Sequence, residues 1–312
     1  MSFEGIFLSR SIFASFPLSR KPDVYVARIL VISLFAMVAF AANSILCRAA
    51  LKPHDDEQVI DPASYTAIRL AAGALVLLII QWFRQKPTSK NPWRKKNWVA
   101  PLMLVGYAAG FSFAYIGLDT ASGTLILFAF VQLTMIGLGI IRKEIPRPVE
   151  WVGLVLASLG LVYLVAPHLQ TPLLKEAALM AMAGISWGVY STIGKKSNDP
   201  ISDTAYNFLM GTPLVLVSVF LFSSQLSLPT EGVVLAALSG GLASGLGYVL
   251  WYVVLPSLRS TQAAAIQLSV PIIAAWGGVL FVGDAIHSRI LLAGALILIG
   301  IALTIRWKRD KT

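Results

Sequence analysis

Charge is what this chain has least of. Only 13% of its 312 residues are Asp, Glu, Lys or Arg, against about 25% in ordinary soluble domains, so it lacks the means to clothe a large water-facing surface. A single cysteine, Cys47, excludes a disulfide within the chain. The three histidines, His54, His168 and His287, all fall in polar connections, which leaves no imidazole to activate a serine or join a metal cluster inside the apolar segments. The serine of Gly241-Leu-Ala-Ser-Gly245 has no histidine partner at comparable depth, and Gly283-Asp284 has no second buried aspartate, so an intramembrane enzyme lacks its chemistry. There is no glycine-rich phosphate loop to couple the chain to ATP, and no cofactor is expected.

What is abundant is apolar surface. Hydrophobic residues make up 57% of the chain and the mean hydropathy is +0.75. The apolar residues form long runs of roughly 20, the length of helix that crosses a bilayer core about 30 Å thick. The runs fall near 26 to 49, 62 to 83, 97 to 117, 121 to 141, 149 to 166, 175 to 194, 203 to 223, 231 to 255, 260 to 282 and 288 to 306. They predict an all-α polytopic membrane protein with ten transmembrane helices. The turns Asp119-Thr-Ala-Ser122 and Pro256-Ser-Leu-Arg259 are short enough to join only antiparallel neighbours, which makes the bundle compact.

The net charge of +10 would point to nucleic acid in a soluble protein, but here the basic residues sit in loops and tails. Arg10, Arg20, Lys21, Arg28, Arg84, Lys86, Lys90, Arg94, Lys95, Lys96, Arg142, Lys143, Arg147, Lys195, Lys196, Arg259, Arg306, Lys308, Arg309 and Lys311 lie on one side of the predicted bundle. Arg48, Lys52, Lys175 and Arg289 lie on the other. Cytoplasmic loops retain positive charge, so both termini are expected in the cytoplasm of a bacterium, with the chain in its inner (plasma) membrane and the acidic loop His54-Asp-Asp-Glu57 outside. Residues 1–25 read as an uncleaved cytoplasmic tail, because the first apolar run is too long for a cleaved leader. The expected partners are lipid and a small-molecule substrate, with no nucleic acid, for a monomer or homodimer.

The two halves of the chain align. Phe40-Ala-Ala-Asn43-Ser44 matches Trp187-Gly-Val-Tyr190-Ser191, Arg69 with Gly73 matches Asn207 with Gly211, and Gly106 with Gly110 matches Gly241 with Gly245. The fourth and ninth runs, Gly123 to Gln132 and Gln262 to Pro271, correspond likewise, each followed by an acid, Glu144 or Asp284, and a glycine-rich final run. Each half holds an odd number of runs, so the second enters the membrane in the opposite sense, as two inverted five-helix repeats (26–166 and 167–306, with a tail at 307–312). That architecture permits alternating access.

Ser260-Thr-Gln-Ala-Ala-Ala-Ile-Gln-Leu-Ser-Val-Pro271, then Gly283-Asp284 and Gly294 to Gly300, with the first-half counterpart from Ser122 through Glu144 to Gly160 and the stretch Ala67-Ile-Arg69-Leu70, resemble EamA-type members of the drug/metabolite transporter superfamily. The resemblance covers nearly all of Val26 to Ile305. It implies a secondary transporter for a small organic metabolite, such as an amino acid or related compound, often in export, with a cavity between the halves. Two positions depart from the pattern: Gln132 stands where proline is usual, and Asp284 where glutamate is commoner.

Pro271 bends the ninth span and frees backbone carbonyls, so Gln267 and Ser269 beside it are candidates to line a cavity, with Gln132 and Thr124 in the fourth span. The paired glycines of the third and eighth spans read as close helix contacts. Tyr107, Phe111 and Tyr115 share one helix face, and Tyr248, Trp251 and Tyr252 cluster in the eighth span, with Trp187 and Tyr190 in the sixth opposite Phe40 and Asn43 in the first. The substrate-binding candidates are therefore Asn43, Tyr107, Phe111, Gln132, Trp187, Tyr190, Tyr248 and Gln267. Arg69 alone places a charge at hydrocarbon depth, with no embedded carboxylate for drug/proton exchange. It either attracts an anionic substrate group or holds the second span by snorkelling or binding helix-end carbonyls; the second role is the reading favoured, since Asn207 occupies the matching place. A channel would need a ring of coordinating groups, and the polar residues here are scattered.

Overall fold

The structure, a computed structural model, describes residues 22–51, 60–83, 98–118, 120–166, 174–221, 226–277 and 288–305. The loop His54 to Glu57, the basic loop from Arg84 to Lys96, Asp119, His168, Gly283-Asp284, His287 and both basic tails lie outside them. Among the described residues the chain is helical, as lipid requires when no water is present to satisfy backbone groups.

The helices are α1 (Pro22–Leu51), α2 (Pro62–Phe83), α3 (Val99–Ala114), α4 (Thr120–Ile141), α5 (Pro148–Val165), α6 (Leu174–Gly194) and α7 (Pro200–Leu221). A long eighth rod consists of α8 (Thr230–Leu238), a π-helical segment (Ser239–Leu246) and α9 (Gly247–Val254). Then come α10 (Ser260–Gln267), α11 (Ser269–Gly277) and α12 (Ser288–Ile305). Six of the helical stretches are long and apolar enough to cross a membrane, and α3 and α5 are shorter apolar helices. Their outward faces are apolar: Leu34 and Phe35 on α1, Val152 and Leu159 on α5, and Leu298 and Ile299 on α12 are all exposed. This is an integral membrane protein.

Local sequence explains the helix boundaries. Proline opens α1, α2, α5 and α7, where its missing N–H is no loss. Asp61 caps α2 by accepting the Ser64 N–H at 2.8 Å, and Asp199 caps α7 by accepting that of Ser202 at 3.3 Å. After α4 the chain turns through Lys143, a left-handed residue at φ 64°. The Glu144 N–H returns to the Gly139 carbonyl and the Lys143 N–H to that of Ile140, both at 2.9 Å, a Schellman turn built on lysine instead of glycine.

The ninth run, read as one span from 260, is broken at Leu268. Pro271 has no N–H to give Gln267 and its ring crowds that carbonyl, and the Leu268 N–H tightens back onto Ala265 at 3.0 Å. The eighth run contains the π segment, which its hydropathy did not disclose. Pro213 lies inside α7 without ending it.

Packing pairs α5 with α12, α2 with α7, α3 and α4 with α6, and α1 with both the eighth rod and α11. Glycine allows the closest of these approaches. A Cβ on Gly110 would lie 2.9 Å from the Leu179 carbonyl oxygen, and a Cβ on either Gly153 or Gly300 would lie 2.5 Å from the other's carbonyl oxygen. Gly240, with no room at all for a Cβ, rests on the Arg69 backbone carbonyl.

Candidate functional site

The side chains of α1, α2, α3, α6 and the eighth rod meet in one buried cluster. Arg69 is its charged member, only 1% exposed. Its Nε donates to Ser244 Oγ at 3.0 Å, and its Nη2 donates to the Tyr248 hydroxyl at 3.0 Å and the Tyr107 hydroxyl at 3.4 Å. The guanidinium carbon lies 5.3 Å from the Tyr107 ring centre and 5.7 Å from that of Phe111, within cation–π range. Nη1 is buried with no hydrogen-bond partner.

Asn43 completes the polar layer. Its Oδ1 accepts from Ser239 Oγ at 2.6 Å and Ser244 Oγ at 3.3 Å, and its Nδ2 donates to the Tyr107 hydroxyl at 3.5 Å. Tyr65 donates to Ser239 at 2.9 Å. Ser239 and Ser244 are five residues apart, and the i to i+5 closure of a π helix stacks such residues on one face. An unbroken α helix would swing one of them away from Asn43.

Beside this layer the rings of Phe40, Tyr107, Phe111, Trp187 and Tyr248, with Ser44, Gln267, Leu127, Phe128 and Val270, line a cavity of about 20 Å³. That is room for a water molecule and not for an organic metabolite. The rings touch closely, with centroids 4.7 Å apart for Trp187 and Tyr248, 4.9 Å for Tyr107 and Trp187, and 5.3 Å for Phe40 and Trp187. Trp187 Nε1 donates to Gln267 Oε1 at 2.6 Å, and Gln267 Nε2 donates to the Ala263 carbonyl at 3.2 Å. The break after Gln267 thus ties α6 to the α10–α11 corner.

Of the candidates, Tyr107, Phe111, Trp187, Tyr248 and Gln267 come together around this cavity. Asn43 sits one hydrogen bond behind it. Tyr190 packs on Trp187 and Tyr248 at 5.8 and 6.2 Å and accepts from Asn207 Nδ2 at 3.2 Å. Gln132 does not join them: its Oε1 accepts from Ser158 Oγ at 3.2 Å, between α4 and α5. Ser269 donates to the Ile266 carbonyl at 2.7 Å, its own helix corner. Arg69 neither snorkels, being fully enclosed, nor binds a helix-end carbonyl among the described residues; its partners are side-chain hydroxyls. Nothing in the sequence singles out Tyr65 or Ser239, and Ser244 stands out there only as a serine without a histidine partner. The repeated Asp-Pro-x-Ser-x-Thr-Ala of residues 61–67 and 199–205 would have located the second and seventh helices in register.

A second polar cluster lies where the basic side of the chain gathers. Glu144 accepts from Lys195 Nζ at 2.8 Å, and from the Ser260 N–H and Oγ at 2.9 and 2.8 Å. Arg259 pairs with Glu150 at 2.6 Å. Burial alone would raise the Glu144 carboxyl, but the bonds from Lys195 and Ser260 outweigh it and hold the group below the usual carboxylate range. The cluster fastens the α4–α5 corner to the end of α6 and the start of α10.

Comparison with known proteins agrees with this architecture. The sequence model of the EamA-like transporter family matches residues 27–166 and again 174–306. An uncharacterized protein of Pseudomonas aeruginosa is 41% identical over 276 residues, covering 88% of this chain and 94% of its own. The uncharacterized transporter YoaV of Bacillus subtilis is 26% identical, covering 81% and 90%. The threonine/homoserine exporter RhtA of Escherichia coli K12 is 27% identical over 308 residues, covering 92% and 95%. A crystal structure of a protein 17% identical superposes with a TM-score of 0.76 over 91% of this chain and 99% of that one, a likeness of fold alone.

Proposed function

The chain belongs to the EamA-like transporter family, and from that premise we propose that it is a secondary carrier that exports a small organic metabolite by alternating access of two inverted five-helix repeats. The observation that supports it most is the small aromatic-lined cavity, whose walls come from helices of both halves. Packing supports the inverted arrangement of ten transmembrane helices. If the first five helical units answer the second five in order, the contact of α3 with α6 answers that of the eighth rod with α1, while α2 with α7 and α5 with α12 answer themselves.

A cavity of about 20 Å³ then belongs to an occluded conformation. Opening it requires the rings of Trp187, Tyr248 and Phe40 to part, and the two halves to move against each other. The cluster of Glu144, Lys195, Ser260, Glu150 and Arg259 would close the basic side, proposed as cytoplasmic in the inner membrane by the distribution of Lys and Arg. The likeness to threonine/homoserine exporters supports an amino acid or a related compound as cargo. Proteoliposomes preloaded with a mixture of unlabelled amino acids should take up labelled members by saturable counterflow. Conductance steps, or flux that never saturates, would instead make the protein a pore.

A further inference from the structure

We propose that Arg69, acting through the hydroxyls of Tyr107 and Tyr248, makes the central cavity a receptor for the carboxylate group of the transported metabolite. This rests on the carrier reading and adds the chemistry of its cargo.

The first argument is one of charge. A guanidinium held at 1% exposure needs its charge compensated. Among the described residues every hydrogen-bond partner of Arg69 is a hydroxyl, of Ser244, Tyr107 or Tyr248, and none is a carboxylate. Neutral hydroxyls are what it has, and Nη1 keeps both of its N–H groups unused. If holding tyrosines were its whole task, a neutral amide would suffice, as Asn207 shows by serving the Tyr190 hydroxyl at the corresponding place.

The second argument follows the protons. Arg69 has no acceptor, so every bond it makes runs outward, and the Tyr107 oxygen receives both Nη2 of Arg69 and Nδ2 of Asn43. With its lone pairs taken, Tyr107 can use its hydroxyl proton only as a donor. The Tyr248 oxygen also accepts from Arg69. Even if one phenol donates to the other, a polarised proton of the pair is left over. Both tyrosines line the cavity, whereas Arg69 does not. The geometry therefore extends positive charge and unused donors toward the cavity through two phenols, and a carboxylate supplies the acceptors and the missing negative charge.

The test is thermal unfolding of the full-length protein in detergent against the common L-amino acids and, for each, its primary amide, which keeps the side chain and loses the carboxylate. At least one acid should stabilise the wild type while its amide does so about 10-fold less effectively or not at all. Arg69→Gln should abolish that difference. Tyr107→Phe and Tyr248→Phe, which keep the rings and remove only hydroxyls, should weaken it, so the proposal can still be judged should the arginine variant fail to fold. Acid and amide stabilising equally, the difference surviving in folded Arg69→Gln, or no acid stabilising at all would each overturn the carboxylate site. Counterflow of the amides through the same protein would still uphold the carrier, so the two readings can fail separately.

Discussion

The stretches Asp61 to Gly73 and Asp199 to Gly211 start alike and diverge within. Each opens with an aspartate cap and a proline, and each has a threonine, Thr66 or Thr204, whose hydroxyl donates to the carbonyl of that proline at 2.6 Å. Eight residues after the cap one stretch carries Arg69 and the other Asn207. Asn207 makes one bond to a tyrosine of its own half, whereas Arg69 joins α2 to α3 and to the eighth rod, across both halves. A shared frame thus holds two unlike polar centres. The difference teaches that two stretches with the same helix start can place unlike groups in the interior, a charge in one half of the chain and a neutral amide in the other.

The largest effect should come from Gly240, which lies against the Arg69 carbonyl. By the alignment of Gly106 with Gly241 its counterpart in the first half is Val105, so only one side of the pair demands glycine. Gly240→Ala should cost about 3 kcal/mol by overpacking, read as a lowered unfolding temperature in detergent, while Val105→Ala should cost about 1 kcal/mol. Similar losses at both positions would erase the asymmetry.

Arg69→Asn, which copies the second half into the first, removes the donors to Ser244, Tyr107 and Tyr248 and should cost about 2 kcal/mol, together with transport. Asn207→Ala removes one neutral bond and should cost about 1 kcal/mol, with transport largely retained. Counterflow rates at matched expression decide between them; equal loss would mean that both centres only hold the fold.

A polytopic, all-helical membrane protein was legible in the sequence because lipid imposes length and apolarity, whereas the prolines and aspartates that open α2 and α7 show their meaning only in the structure. The cavity was legible in part. Tyr107, Trp187 and Tyr248 announced themselves as aromatic residues deep within their spans, but Gln132, which aligns with Pro271, resembled Gln267 only as an amide in an apolar span. Gln267 precedes a break caused by Pro271 and turns to Trp187, while Gln132 has no proline after it and stays on a continuous helix facing Ser158. The π segment was hidden, because its Ser-Gly-Gly-Leu-Ala-Ser composition is also that of an ordinary small-residue helix face. With it went the pairing of Ser239 and Ser244 on Asn43.

A smaller effect should separate the basic side from the central cluster. Glu144 is 30% exposed and Lys195 18%, so solvent screening limits their pair and Glu144→Gln should cost about 0.5 to 1 kcal/mol. The Glu144 carboxyl is held low in the folded protein. Its contribution is therefore fully present above the unfolded value of about 4.3 and is lost as pH falls through the lower folded value. The wild type should lose this increment in acid and the glutamine variant should not, as unfolding temperatures across that range would show. An identical pH dependence in both would mean that the Glu144 carboxylate adds nothing to stability.

The central claim is that the closed aromatic cavity opens to each side of the membrane in turn. Ser44 lines it, and Cys47 is fully buried, so Ser44→Cys in a Cys47→Ala background places one reporter thiol at the cavity. An impermeant thiol reagent should label that cysteine when added from either side of oriented proteoliposomes, and a transported substrate should change the rate. Labelling from one side only, or from neither, would contradict the account.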